Sequence, residues 1–223
     1  MIRKSLKKLA KGMLGRAAGS NPAPQPTVRP EPEAAPSPPV EEPPVVDIDD
    51  LEVDGPGALE WVQDGALLLD IRELHEMNSG HATAAFLLPM NQVPHRTAEL
   101  PRDRKIVIYC AAGARSFGVA GYLREQGFEA AYSLSSGFGG WASAGGGWSR
   151  PDTSARFSLL QPVRLTQDAA ERFGVDGNPA GTIQEASTIE GETVYIIRIP
   201  TVGGGSELVD QLSESDLEPI GRG

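Results

Sequence analysis

Three features of the sequence predict an α/β domain with a largely parallel central sheet flanked by helices. Ile106 to Tyr109 is a short run, β-branched and apolar on both faces, as a buried parallel strand is. Three further short apolar runs alternate with helical segments between residues 47 and 151. A turn of small residues joins the Ile106–Tyr109 strand to a following helix, the connection that places a ligand site at the carboxyl end of an open sheet.

The elements follow in order. Ala58, Leu59, Trp61 and Val62 predict a short helix, and Leu67 to Leu69 a strand ending at Asp70. Glu73 to Met77 predicts a helical turn and Ala85 to Leu88 the second strand. After the third strand at Ile106–Tyr109, a helix runs from Ser116 to Gln126, closed by Gly127. Ala130 to Leu134 is the fourth strand. Beyond Pro151 the texture changes. Val163–Leu165, Gly181–Glu185, Val194–Ile199 and Glu207–Val209, with the Gly203–Gly205 turn before the last, predict a small all-β barrel or sandwich with little helix over residues 156–220.

The first 46 residues build no core. In residues 1–20, Ile2, Leu6, Leu9 and Met13 fall on one helical face among Arg3, Lys4, Lys7, Lys8 and Lys11. This basic amphipathic tail, within residues 1–18, suits weak contact with an anionic membrane or a solvated, disordered end. Residues 21–46 hold ten prolines between Pro22 and Pro44 and read as an extended linker.

Charge narrows the partners. The net charge is −10, yet residues 1–30 carry seven Lys and Arg and no acidic residue. The remainder therefore holds 13 basic against 30 acidic side chains, a poor surface for nucleic acid. No run of about 18 apolar residues is present to span a membrane, and no secretory signal core is evident. The single cysteine precludes an internal disulfide and suggests a reducing, cytoplasmic setting or a reactive thiol, with the basic tail as a peripheral membrane contact. His75, His81 and His95 lack the spacing of a zinc site, and no cofactor fingerprint appears, so neither metal nor cofactor is expected.

The chemistry concentrates at Cys110, which ends the central strand. Ala111, Ala112, Gly113 and Ala114 lead to Arg115 and Ser116 at the helix start. Unpaired N–H groups there point at an incoming anion, and small side chains let the backbone curl around it. A thiol in such a nest, beside the Arg115 cation, is driven toward the thiolate. A core cysteine needs neither feature.

This loop resembles the active loop of single-domain rhodanese sulfurtransferases. Leu68-Leu69-Asp70-Ile71-Arg72-Glu73 is similar to the family's first strand and Asp–x–Arg signature, and Gly80-His81-Ala82 to its Gly-His-Ile segment. Ser136-Gly137-Phe138-Gly139-Gly140-Trp141 is similar to its C-terminal Gly-Gly and Trp signature. Cysteine-based phosphatases of the superfamily place five residues between Cys and Arg; here there are four, the sulfur-handling length. The resemblance implies a thiosulfate:cyanide sulfurtransferase-like enzyme. Cys110 would take a sulfane sulfur from a donor such as thiosulfate and pass it, as a persulfide, to cyanide or a thiol. Residues 111–116 would bind the sulfur anion, and Asp70 and Arg72 would support the loop or form an ordinary ion pair. His81 reads as a structural histidine, and Trp141 and Trp148 as core or rim packing.

Two departures stand out. Many members carry polar loop residues where this chain has Ala111, Ala112 and Ala114, so weak thiosulfate turnover is expected. Gly145-Gly146-Gly147 predicts a loose end to the domain. Residues 156–220 weakly resemble an SH3-like barrel without catalytic groups, which suits a protein-docking module. A non-catalytic rhodanese-fold adaptor is the competing reading, and loss of the cysteine, common in degenerate modules, has not happened here.

Overall fold

The computed structural model describes residues 51–220, apart from 84 and 178. The tail at 1–20, the linker at 21–46 and the four residues after it lie outside the described residues.

The first half is a parallel sheet with helices on both faces. Its strands are β1 (Glu52–Val53), β2 (Leu67–Asp70), β4 (Ala85–Leu87), β5 (Ile106–Tyr109) and β6 (Ala131–Leu134), in the order β1-β6-β5-β2-β4. Every pairing is parallel. The connecting helices are α1 (Gly55–Gln63), α2 (Leu74–Met77), α3 (Val93–Arg96), α4 (Ala114–Glu125) and α5 (Gly137–Ser143). Strand β3 (His81–Ala82) pairs with β7 (Trp148–Ser149) as a small antiparallel ribbon.

Alternation along the strands sorts the core into two layers. Leu68, Val107 and Tyr109 face one layer. Leu69, Ile106, Ile108 and Cys110 face the other, with Val119, Ala120 and Leu123 of α4. All four side chains of β5 are almost fully buried, as a two-faced apolar strand requires.

Helix α4 begins at Ala114, two residues earlier than its sequence suggests. Gly113, at φ +97°, turns the chain directly into the helix. Gly127, at φ +84°, follows its carboxyl end. Helix α5 and strands β1, β3 and β7 are additions that the sequence pattern did not reveal. The three glycines at 145–147 form a tight turn rather than a loose end. A Cβ on Gly146 would lie 2.2 Å from the Trp141 ring, and Trp141 Nε1 donates to the Gly147 carbonyl (3.0 Å).

The second half is an antiparallel sheet of β8 (Pro162–Leu165), β9 (Ala180–Ile189), β10 (Glu192–Pro200), β11 (Ser206–Leu212) and β12 (Leu217–Pro219). Its order, β11-β10-β9-β8-β12, returns the last strand beside the first. One helix interrupts it, where the sequence suggested little: α6 (Gln167–Phe173). Thr166 caps its start by accepting from the Ala169 N–H (3.2 Å), and Gly174 ends it in the left-handed conformation.

The antiparallel sheet packs on the parallel one. Apolar contacts run without a break from Leu68, Val107 and Leu134 to Val163, Ile183, Tyr195 and Leu217. The edge strand β4 does not end in solvent: its Leu87 N–H donates to Gln184 Oε1 on β9 (2.7 Å). That bond is buried, so Gln184→Leu leaves an N–H unpaired and should cost about 1–3 kcal/mol in urea-induced unfolding. A loss below about 0.5 kcal/mol would mean that the Leu87 N–H finds another partner.

Candidate active site

Cys110 follows β5 directly, and the loop at 111–113 folds over its sulfur. The Gly113 N–H donates to Sγ at 3.1 Å, and Ser116 Oγ stands 3.6 Å from it. Ser116 is held in turn by the Gly113 carbonyl (2.8 Å) and by Ser133 Oγ on β6 (2.9 Å). Ser133 is a supporting residue that the sequence pattern did not single out. Its position became visible only when β5 and β6 paired in parallel.

Two glycines make the loop's geometry feasible. A Cβ on Gly113 would lie 2.1 Å from the Ser135 carbonyl. One on Gly137 would lie 2.5 Å from the carbonyl of Cys110, which accepts from the Phe138 N–H (2.8 Å). The segment 135–138 is therefore the back wall of the loop.

Burial pushes the Cys110 thiol up, but the Ser116 N–H and hydroxyl and the Ala112 and Gly113 N–H groups outweigh it. The thiol titrates below its ordinary value. Arg115 is close enough for the sulfur to raise its own pKa, yet its main partner is Glu76 of α2. Its two terminal nitrogens meet both Glu76 oxygens at 2.7 and 2.8 Å. That bond is the main reason the Glu76 carboxyl falls to about 2, burial opposing and the Glu73 N–H assisting. The pair's contribution to stability is thus complete above the ordinary Glu range and fades only as pH falls toward about 2. Arg115 clamps α4 to α2 rather than standing as a free cation at the mouth.

Ala111, Ala112 and Ala114 are exposed around the loop, so its rim is made of methyl groups. Beside it, between α3 and α4, lies a shallow groove of about 400 Å³ lined by Met90, Val93, Pro94, Ala114, Arg115 and Val119, among others.

Asp70 and Arg72 form a buried cluster behind this surface. Arg72 Nη2 meets Asp70 Oδ2 at 2.7 Å, Arg72 Nε meets Oδ1 at 3.0 Å, and Nη2 also donates to the Gly80 carbonyl (2.9 Å). The Tyr109 hydroxyl donates to Asp70 Oδ2 at 2.6 Å and accepts from the Ala82 N–H (3.2 Å). Burial first, then Asp70, pushes the Tyr109 phenol well above its usual value, so it remains the donor. Arg72 also covers the Phe138 ring at 4.3 Å. The two form an ion pair, and the Phe138 that Arg72 covers donates its N–H to the Cys110 carbonyl.

His81 is buried with Nε2 3.0 Å from Glu185 Oε2, and Nδ1 has no partner among the described residues. Its charged neighbour belongs to β9, away from the Cys110 loop, which suits a structural role. Trp141 is buried, whereas Trp148 is half exposed.

The profile of the family described as Rhodanese-like domain matches residues 57–144. A sulfurtransferase of Allochromatium vinosum is 43% identical over 79 residues, which span 35% of this chain and 74% of that protein. The thiosulfate sulfurtransferase GlpE of Tolumonas auensis is 38% identical over 74 residues, 33% of this chain and 70% of that one. A rhodanese-related protein of Thermoplasma volcanium, known from a crystal structure, aligns with a TM-score of 0.41 and 22% identity over 44% of this chain and 97% of that one.

The hydrogen bonds to Sγ make a pH test. Alkylation of Cys110 by iodoacetamide should reach half its maximal rate below the ordinary thiol range of about 8.5. Ser116→Ala should move that midpoint to higher pH. A midpoint unmoved by the substitution would assign the stabilisation to the loop N–H groups alone.

Proposed function

The chain belongs to the rhodanese family, and from that premise we propose that it transfers sulfane sulfur through a persulfide on Cys110. The observation that carries this reading is the Gly113 N–H aimed at Sγ from 3.1 Å, with the Ser116 hydroxyl beside it, in a loop closed by a four-residue spacing to Arg115.

The Cys110 thiolate attacks the outer sulfur of a donor such as thiosulfate. A new S–S bond forms, the donor's S–S bond breaks, and its electron pair leaves on sulfite. The negative charge moves to the outer sulfur of the persulfide, within reach of the loop N–H groups that held the thiolate. Cyanide or a thiolate then attacks that outer sulfur, the persulfide bond breaks, and the Cys110 thiolate returns. No step in this reading calls for a general base, because it starts from the thiolate that the Ser116, Ala112 and Gly113 donors favour. The methyl rim and the engaged Arg115 offer little to attract a dianion, so thiosulfate is a slow donor in this reading, and the neighbouring apolar groove supports a thiol acceptor.

The remaining parts take supporting roles. We assign residues 47–151 to the transferase domain and 156–220 to an SH3-like docking domain, a reading supported by the return of β12 beside β8. The exposed Ile189 and Leu208 on the latter's strands favour a protein partner there, which is also the feature that an adaptor without catalysis would use. No helix among the described residues is long and apolar enough to cross a membrane. A membrane contact would rest on residues 1–18, ahead of the linker in the sequence, with the transferase on the cytoplasmic side.

Thiocyanate formation from thiosulfate and cyanide tests the central reading. Wild-type turnover should disappear in Cys110→Ala, a loss of at least about a thousandfold if the nucleophile is essential. Turnover that survives the substitution, or a wild type inactive with thiosulfate and with organic persulfide donors alike, would transfer the weight to the adaptor reading. For the tail, deletion of residues 1–20 should abolish co-sedimentation with phosphatidylserine-containing vesicles; unchanged sedimentation would reject the membrane role.

A further inference from the structure

A cleft of the described residues lies away from Cys110. It opens between residues 97–104 and the β10–β11 turn, with a volume of about 770 Å³, in the usual range of small-molecule sites. Three arginines line it: Arg102, Arg104 and Arg198. In a chain of net charge −10, that concentration of positive charge calls for a physical reason.

Arg198 carries the argument. It projects from β10 across the Phe86 ring, 4.3 Å from its centre, and is only 6% exposed. Its Nη1 donates to Ser206 Oγ (3.2 Å), while its Nε is buried without a hydrogen-bond partner among the described residues. It forms no salt bridge among the described residues, and the adjacent Glu99 is held by Arg96 at 2.6 Å. Burial lowers its pKa to about 10, with Glu99 opposing and Arg96 adding to the fall, so it stays charged at neutral pH. A buried charge without a counterion is costly, and an anion in the cleft would remove that cost.

The other walls fit the same occupant. Arg104 is half exposed, and its one carboxylate contact, to Asp103 at 3.4 Å, is exposed and weak. Arg102 is anchored by the carbonyls of Gln126 and Gly127, which fixes its position at the edge. Gly203, Gly204 and Gly205 all adopt positive φ, and the Gly205 N–H ties the turn to the Ala98 carbonyl (2.7 Å). Leu67, Leu100 and Pro101 add an apolar wall that a bare inorganic ion would leave unused.

We propose that this cleft binds a small phosphate-bearing molecule, with Arg198 and Arg104 on the phosphate and the Leu100 side against its apolar body. The site is separate from sulfur transfer and does not depend on it.

Thermal unfolding of the full-length chain tests the proposal, with chloride replaced at constant ionic strength by inorganic phosphate or by phenyl phosphate. The melting temperature should climb with the logarithm of ligand concentration, phenyl phosphate acting at lower concentration. Arg198→Met should weaken the apparent affinity roughly tenfold or more, while melting at or above the wild-type temperature without ligand. Arg104→Gln, a change at an exposed side chain, should weaken it severalfold and decides the matter if the first variant does not fold. Equal potency of the two ligands would assign the site to the free ion. A wild type indifferent to both, or shifts untouched by Arg104→Gln and Arg198→Met, would overturn the proposal.

Discussion

The Asp70 carboxylate, wholly buried at the end of β2, is the point on which the site's framework hangs. One carboxylate takes both the Arg72 fork and the Tyr109 hydroxyl. Through Arg72 it reaches the Gly80 carbonyl and the Phe138 ring, and through Tyr109 the Ala82 N–H. It thereby gathers β2, β5, β3 and the start of α5. Phe138 closes the circuit by donating its N–H to the Cys110 carbonyl. A buried ion pair of this kind adds little net stability over an apolar substitute, but losing one partner costs about 3–5 kcal/mol. Its value here is positional: it sets the wall against which a loop without bulky side chains can hold its shape.

That wall matters because the loop itself is made of alanine and glycine. Such residues supply N–H groups and little else. Their arrangement around Sγ comes from Gly113 pressed against Ser135, from Gly137 pressed against Cys110, and from Ser116 bonded to Ser133. The one strong charge in the loop, Arg115, is spent on Glu76 and works as a clamp between helices. Stabilisation of a sulfur anion is thus left mainly to backbone dipoles, which are fixed before any substrate arrives and need no reorganisation.

The antiparallel sheet extends the same core rather than hanging beside it. Gln184 accepts from the Leu87 N–H of the edge strand β4, and the Asp152 N–H meets the Ala186 carbonyl (2.7 Å). An edge strand with an unpaired backbone is a liability in a small α/β domain, and covering it removes that liability. The same packing encloses His81 beside Glu185 and brings Arg198 over Phe86, two polar side chains that would otherwise stand in water.

The sequence by itself determined the local things. The apolar run at 106–109 specified a buried parallel strand, and Gly127 the end of a helix. The order of Cys110, four small residues, Arg115 and Ser116 specified a tight loop leading into a helix, with a backbone N–H turned to the cysteine sulfur. These depend on periodicity, side-chain size and backbone freedom, which are written in neighbouring residues. Only the tertiary structure decided the partners across long separations. It assigned Arg115 to Glu76, Ser116 to Ser133, Gln184 to the edge of β4, and it buried Arg198 with no salt bridge among the described residues. Helix α6 and the tight turn at 145–147 belong to the same class, since tertiary packing overrides weak local preference in short segments. The physical reason is common to all of them. A polar side chain advertises its capacity for a bond but not its partner, and the partner exists only once strands distant in the chain have come to lie side by side.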